Sequence, residues 1–214
     1  MKILGIDEAG RGPVIGSLVM CGYLIDEKNL EKLKSLGVRD SKLLTPSQRE
    51  KLVPELKKLG KSFLVSVSAK DIDSLRSSLN LNKIEIDMMN SLIKKAKPDK
   101  VIIDAPEKNT MAFAKKLDIE KSIELVCKNY ADKNHVEVAA ASVIAKVERD
   151  SSIMKLHKKH SYFGSGYPSD PDTMSFLKNW IKKNKDFPDF VRKTWITASE
   201  LKRQKEQKSL KSWK

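Results

Sequence analysis

Two apolar runs open the chain, with Ile3, Leu4 and Ile6 on one side of Gly10, Gly12 and Pro13 and the aliphatic stretch Val14 to Ile25 on the other. Apolar runs broken by turn residues predict two strands, Lys2–Asp7 and Val14–Ile25, paired as an antiparallel hairpin. Thr45-Pro46-Ser47-Gln48 supplies a cap residue, Pro at the first helical position and Gln three after the cap, which predicts a helix to about Leu59, stopped by Gly60. Ser62–Ser68 reads as a third strand. Ile84, Ile86, Met88, Met89, Leu92 and Ile93 recur at broadly helical spacing, so a helix is expected from Asn82 to Ala96, ended by Pro98. Val101-Ile102-Ile103 is a short β-branched run that stops at Asp104. A helix near Met111–Lys116 and a strand near Ile123–Cys127 follow. The segment AAASVIAK, small and apolar on one side, predicts a helix over Val138–Met154 packed closely on a sheet. Beyond GSGYPSDP, helices are expected over Asp172–Lys183 and from about Thr197. Strands alternating with helices in this way define an α/β sheet.

Charge then narrows the partner. Lys and Arg exceed Asp and Glu by 14 across 214 residues, enough chain for one large domain or a domain with a small appendage. A surface of that sign attracts polyanions such as nucleic acid or acidic membranes, and also serves solubility. Cys21 and Cys127 sit inside apolar runs and share no zinc-ligand spacing with His135, His157 or His160. They read as reduced core residues. With no basic-then-apolar leader and no apolar run near the roughly 20 residues that cross a bilayer, the expectation is a soluble protein of a reducing, cytoplasmic compartment, and the basic charge suggests a monomer.

Candidate chemistry lies where predicted strands end in acids: Asp7 and Glu8 after Ile6, Asp104 after Ile103, and Asp132 shortly after the strand near Leu125. Ligand and catalytic groups gather at such ends in α/β sheets, although Asp there also serves as a turn former or helix cap. Crowded carboxylates repel, so a convergent set persists as anions only around divalent cations, and hard oxygen ligands suit Mg²⁺ or Mn²⁺. Adjacent residues on a regular strand point to opposite faces, so Asp7 and Glu8 share a site only if the strand ends or distorts at Glu8. Gly10-Arg11-Gly12 offers close backbone approach and a planar fork of donors for phosphate, a pattern that ordinary hairpin turns share.

Together, GIDEAGRGPVIG, VRDSK at Val38 to Lys42, IIDAP at Ile102 to Pro106, KNYADKNHVEVAAASVIAKVERD at Lys128 to Asp150, and GSGYPSDP at Gly164 to Pro171 resemble type 2 ribonuclease H in its archaeal style, over nearly the whole chain. The resemblance implies a ribonuclease H-like fold, a mixed five-stranded sheet flanked by helices, with a catalytic domain over 1–160 and a helical C-terminal extension with a basic tail over 161–214. It implies that Asp7, Glu8, Asp104 and Asp132 bind two divalent ions and are catalytic. It further implies that Gly10, Arg11 and Gly12 contact a ribonucleotide 2′-hydroxyl, the group that separates RNA from DNA. Tyr167 would pack on that sugar, and Lys42, Ser142, Lys146 and Arg149 would steady phosphates or the acidic cluster. The implied activity is a metal-dependent endoribonuclease acting on RNA/DNA hybrids and cutting 5′ to single ribonucleotides in duplex DNA. Two ions about 3.5 to 4 Å apart would serve the attacking and leaving oxygens, the ends would be 3′-hydroxyl and 5′-phosphate, and the role would be removal of ribonucleotides and primers in replication and repair.

Two other classes compete. Sugar kinases and actin-like ATPases also begin with a strand, an Asp and a glycine turn, but need a second such domain, and the pattern occurs once here. A non-catalytic nucleic-acid-binding module would show aromatics interleaved with basic residues. Phe, Trp and Tyr make up 6% of the chain and do not cluster with basic residues outside Tyr162 to Tyr167. The tail LKRQKEQKSLKSWK holds six basic side chains and one acid, as a solvated helix or a mobile segment would. Its Gln207, Leu210 and Trp213 carry the spacing of a peptide that docks on a replication sliding clamp, without the second aromatic where Lys214 stands. A tail that grips DNA phosphates explains it as well.

Overall fold

The computed structural model describes residues 1–38 and 44–211. Its five-stranded mixed sheet has the order β3-β2-β1-β4-β5, formed by β1 (Lys2–Ala9), β2 (Leu18–Asp26), β3 (Gly60–Val67), β4 (Lys100–Asp104) and β5 (Glu124–Lys128). β1 is central. It pairs antiparallel with β2 from Lys2↔Asp26 to Ala9↔Val19, and parallel with β4 from Ile3↔Lys100 to Ile6↔Ile103. β4 and β5 are parallel, ending at Asp104↔Lys128. The expected mixed sheet flanked by helices is therefore present, with β1 running two residues beyond the predicted Lys2–Asp7.

Among the described residues the helices are α1 (Leu30–Ser35), α2 (Pro46–Leu59), α3 (Ala69–Leu75), α4 (Leu81–Ala96), α5 (Thr110–Ala114), α6 (Val136–His160), α7 (Pro171–Lys183) and α8 (Ile196–Lys211). α2 starts as its sequence predicts: the Thr45 hydroxyl accepts from Gln48 N–H and the Gln48 side chain accepts from Thr45 N–H, at 3.3 and 2.8 Å. α1 and α3 were not expected. α1 has too few residues to display a period, and α3 is announced only by Ser68, whose hydroxyl accepts from Asp71 N–H at 3.1 Å.

The chain divides into two compact units. One comprises Met1–Ala9, Val19–Ser66 and Leu81–Glu148; the other comprises Gly10–Leu18, Val67–Asn80 and Arg149–Lys214. A division at residue 160 was expected from the resemblance, whereas here the second unit also gathers two earlier segments. The core of the first unit joins Ile3, Ala9, Val19, Cys21, Ile25 and Ile102 from the sheet to Val138, Ala139, Ala141, Val143 and Ala145 of α6. Gly5 explains how close that packing is. A Cβ built on it would lie 2.3 Å from the carbonyl carbon of Glu137 and 2.5 Å from Val138 N, so the helix backbone rests directly on β1.

The second unit has its own core of Val14, Ile15, Ile153, Phe163, Leu177, Ile181, Phe187, Val191 and Ala198. Phe163, Phe176, Trp180 and Phe190 form an aromatic group within it. Val14 to Ser17, read as the start of a strand, is instead a loop of this unit: Val14 and Ile15 N–H donate to the Gly166 carbonyl, and Gly16 N–H donates to Phe190. A loop so anchored satisfies its backbone without a ladder.

Candidate active site

The first group of functional side chains lies in the sheet unit. Asp7 is the seventh residue of the chain and sits on β1, on the face that Ile3 and Gly5 turn to α6 by strand alternation. Asp104 ends β4, two residues after Ile102, which belongs to the core under α6. The alternation of both strands thus directs the two acids to one face. The ladder between β1 and β4 stops at Ile6↔Ile103, immediately before them.

Asp132 arrives from a 3-10 turn, Ala131–Lys133, built just ahead of α6. Tyr130 enters that turn at φ 57°, in the left-handed region. The turn is fixed from two sides. Ala131 N–H donates to Asp104 Oδ1 at 3.3 Å, and the Asn129 side-chain amide donates to the carbonyls of Ala105 and Glu107, each at 2.8 Å. Sequence reasoning missed Asn129, whose partners lie more than 20 residues away. Each of Asp7, Asp104 and Asp132 offers a carboxylate oxygen within 4.8 Å of the other two, with Asp7 and Asp132 buried and Asp104 half-buried.

Electrostatics follow from that crowding. Burial pushes the Asp7 carboxyl up to about 7; the Ser142 hydroxyl and the Glu8 N–H, which donate to it, pull the other way, and Asp104 and Asp132 add to the rise. Such a carboxylate holds a proton unless positive charge replaces it. A cluster of hard oxygen donors with this need for compensation fits Mg²⁺ or Mn²⁺.

Glu8 continues β1 beyond Asp7. β1 stays in register with β2 through Glu8↔Met20 and Ala9↔Val19, while its ladder with β4 ends at Ile6↔Ile103, so the strand ends near Glu8 on one edge only. Glu8 is half-buried and outside the three-carboxylate group. Ser142 and Lys146 both project from α6, four residues apart and so on one face, with Ser142 on Asp7. Lys42 lies outside the described residues.

The second group belongs to the other unit. Gly10 turns the chain at φ +86°, where a side chain would also strike the Ser17 carbonyl at 2.6 Å. Gly12 has the Tyr167 ring beside it, 3.6 Å from where a Cβ would be. Residues 12 and 167, distant in sequence, are thus brought together. Tyr167 stands over the Arg149 guanidinium at 5.1 Å. Arg149 is 2% exposed, and it donates to the Ser165 carbonyl and to Asp150. Arg149, expected to steady phosphates or the acidic cluster, lies buried against the Tyr167 ring. The loop carrying Tyr167 is tied by Asp170, which accepts from the N–H and hydroxyl of Ser165; these bonds hold its carboxyl down at about 2.

Sequence reasoning also missed Arg192 and Trp195. Arg192 donates to the carbonyls of Gly10, Arg11 and Gly16, and Trp195 Nε1 donates to the Gly12 carbonyl. No local pattern announces either residue.

A mixed sheet of this order, with an aspartate trio drawn from β1, the end of β4 and the turn ahead of α6, defines a nuclease of the ribonuclease H-like class. The sequence model of the family described as Ribonuclease HII matches residues 4–198. Ribonuclease HII of Methanothrix thermoacetophila is 43% identical over 206 residues, covering 94% of this chain and 98% of that one. The crystal structure of ribonuclease H2 from Pyrococcus horikoshii superposes with TM-score 0.89 at 41% identity, covering 97% of this chain and all of that chain. A PCNA:RNase HII complex from Archaeoglobus fulgidus gives TM-score 0.86 at 36% identity, over 91% of this chain and 95% of that chain. This chain belongs to the ribonuclease HII family.

Proposed function

We propose that the protein is an endoribonuclease that hydrolyses the RNA strand of RNA/DNA hybrids and cuts 5′ to single ribonucleotides embedded in duplex DNA. The products carry 3′-hydroxyl and 5′-phosphate ends, and the role is removal of ribonucleotides and RNA primers during replication and repair. The observation that carries this reading is the trio Asp7, Asp104 and Asp132, three carboxylates held within 4.8 Å of one another.

Those three acids, with Glu8 completing the set, would hold two divalent ions, Mg²⁺ or Mn²⁺. Bound there, such ions supply a water of lowered pKa and neutralise charge that builds on phosphate oxygens. The chain's own part is preorganisation. Ser142 and the Glu8 N–H orient Asp7, and Ala131 N–H orients Asp104, so the oxygens are set before any ligand arrives. The Gly10-Arg11-Gly12 backbone contacts the ribose 2′-hydroxyl, and Tyr167, packed beside Gly12, presents its ring to the same sugar. Arg149 acts through Tyr167, and Lys42 and Lys146 add positive charge toward phosphate. The excess of basic residues favours the polyanionic substrate.

A labelled DNA duplex holding one ribonucleotide, incubated with Mg²⁺, with Mn²⁺ and with EDTA, is expected to be cut once, beside the ribose, in either metal and not in EDTA. No scission in either metal would leave a nucleic-acid-binding module as the function.

The relative from Archaeoglobus fulgidus was solved with PCNA, and this favours a second contact for our chain, a sliding clamp engaged through Gln207, Leu210 and Trp213. α8 carries the tail in helical form to Lys211, and Trp213 lies outside the described residues. Immobilised clamp is expected to retain the wild type and to lose Trp213→Ala; equal retention of both would assign the tail to DNA phosphates. The working form is taken to be a cytoplasmic monomer, and no helix among the described residues is long and apolar enough to cross a membrane.

A further inference from the structure

We propose that Arg192 is a positioning residue for ribose recognition: from beneath the Gly10-Arg11-Gly12 corner its guanidinium aims the corner's backbone N–H groups, and so sets the preference for a ribonucleotide over a deoxyribonucleotide. The proposal rests on the reading that this corner contacts the 2′-hydroxyl.

Arg192 is fully buried, at 0% exposure. Its Nε donates to the Gly16 carbonyl at 3.0 Å, its Nη1 to the Arg11 carbonyl at 3.0 Å and its Nη2 to the Gly10 carbonyl. One rigid fork therefore holds carbonyls at both ends of the loop. The Arg192 backbone joins in, its N–H donating to Val14 at 2.8 Å. Trp195 covers the guanidinium, with its ring centre 4.7 Å away, and its Nε1 donates to the Gly12 carbonyl at 3.3 Å. Three successive carbonyls, those of Gly10, Arg11 and Gly12, are thus held by two side chains from one short segment.

The consequence for the outer surface follows from peptide geometry. In a trans peptide the N–H of a residue points opposite to the carbonyl of the residue before it. Fixing the Gly10 carbonyl inward fixes Arg11 N–H outward, and fixing the Arg11 carbonyl does the same for Gly12 N–H. Gly10, at φ +86°, permits the reversal that brings both carbonyls to one guanidinium. Outward backbone N–H groups in this arrangement suit a hydroxyl or anionic oxygen. Lys in place of Arg offers a point charge that cannot span three carbonyls.

The test compares full-length wild type, Arg192→Lys and Trp195→Phe in two readouts. Binding is measured in EDTA to two duplexes that differ by one 2′-hydroxyl, and kcat/KM is measured on the ribonucleotide duplex with Mg²⁺. The wild type should prefer the ribonucleotide duplex. Arg192→Lys should bind both duplexes equally while holding the all-DNA duplex as the wild type does, and its kcat/KM should fall about 10²-fold, the cost of a misplacement near 1 Å. Trp195→Phe keeps the ring over Arg192 and removes one donor, so its preference should narrow in the same direction. Arg192→Lys that keeps the preference, or that weakens both duplexes alike, overturns the proposal. If Arg192→Lys does not fold, an unchanged preference in Trp195→Phe overturns it. A wild type without preference overturns the ribose-reading corner itself, a result separable from failure of Arg192 alone.

Discussion

Asp7→Asn is expected to abolish phosphodiester cleavage while leaving the folded protein as stable as the wild type, or more so. Asn keeps the size and one oxygen of the side chain, and it removes the charge that the neighbouring Asp104 and Asp132 oppose. Loss of a metal ligand at a nuclease centre should lower turnover at least about 10³-fold, since the charge neutralisation it anchors supplies several kcal/mol of the barrier reduction. Stability should move the other way. The Asp7 carboxyl, ordinarily near 3.8, is pushed up to about 7 by burial and its acidic neighbours. Between those values the folded chain keeps a proton that the unfolded chain releases. This stabilisation is fully present below pH 3.8 and is lost as pH rises through about 7. A shift of that size is an upper bound of about 4 kcal/mol. In EDTA, then, the wild-type melting temperature should fall between pH 4 and pH 8, and Asp7→Asn should lack that part of the fall. Mg²⁺ at pH 8 should raise the wild type and not the variant. A variant that unfolds, or one that cuts at the wild-type rate, would remove Asp7 from the metal site.

The parts of the fold that were legible in the sequence are those with a local cause. The α2 capping box is written in four consecutive residues, and β4 is written as a β-branched run ending in Asp104. Asp7 and Asp104 could be paired in advance because each follows an apolar strand. The failures are equally physical. Val14 and Ile15 are apolar because they enter the core of the second unit, yet the segment bonds to Gly166, Phe190 and Arg192 and makes one isolated bridge, Ile15 to Val191, rather than a strand ladder. Apolar character reported burial there and not pairing. Glu8 was expected at a strand end because it is adjacent to Asp7, but the β2 ladder continues past it. Arg149 was expected to steady phosphates or the acidic cluster, and only the fold shows its guanidinium against the Tyr167 ring. Arg192 depends on partners 176 to 182 residues away, a separation at which no pattern in one sequence speaks.

Gly5→Ala is expected to be the most damaging single methyl that can be added to the sheet. Its Cβ would fall 2.3 Å from the Glu137 carbonyl carbon, 2.4 Å from that oxygen and 2.5 Å from Val138 N, all backbone atoms that cannot swing aside. Either α6 lifts from β1 or the strand bends away. Both routes open the layer formed by Ile3, Ile102, Val138, Ala139 and Ala141, and both move Ser142 relative to Asp7, since Ser142 follows Val138 by one helical turn. Overpacking a tight core costs about 1–3 kcal/mol when side chains can adjust, and a clash with helix backbone should reach or exceed the upper end. At about 2–4 °C per kcal/mol for a domain of this size, a fall of roughly 10 °C in Tm should be seen. Gly37→Ala gives the contrast: a Cβ there meets nothing within 4 Å, so only the φ of +72° is penalised. That strain is about 1–2 kcal/mol, and activity at 25 °C should be unaffected. Melting curves and cleavage rates for the two variants separate the effects. If Gly5→Ala melted with Gly37→Ala and kept wild-type turnover, the direct seating of α6 on β1 would not be what holds Asp7 in place.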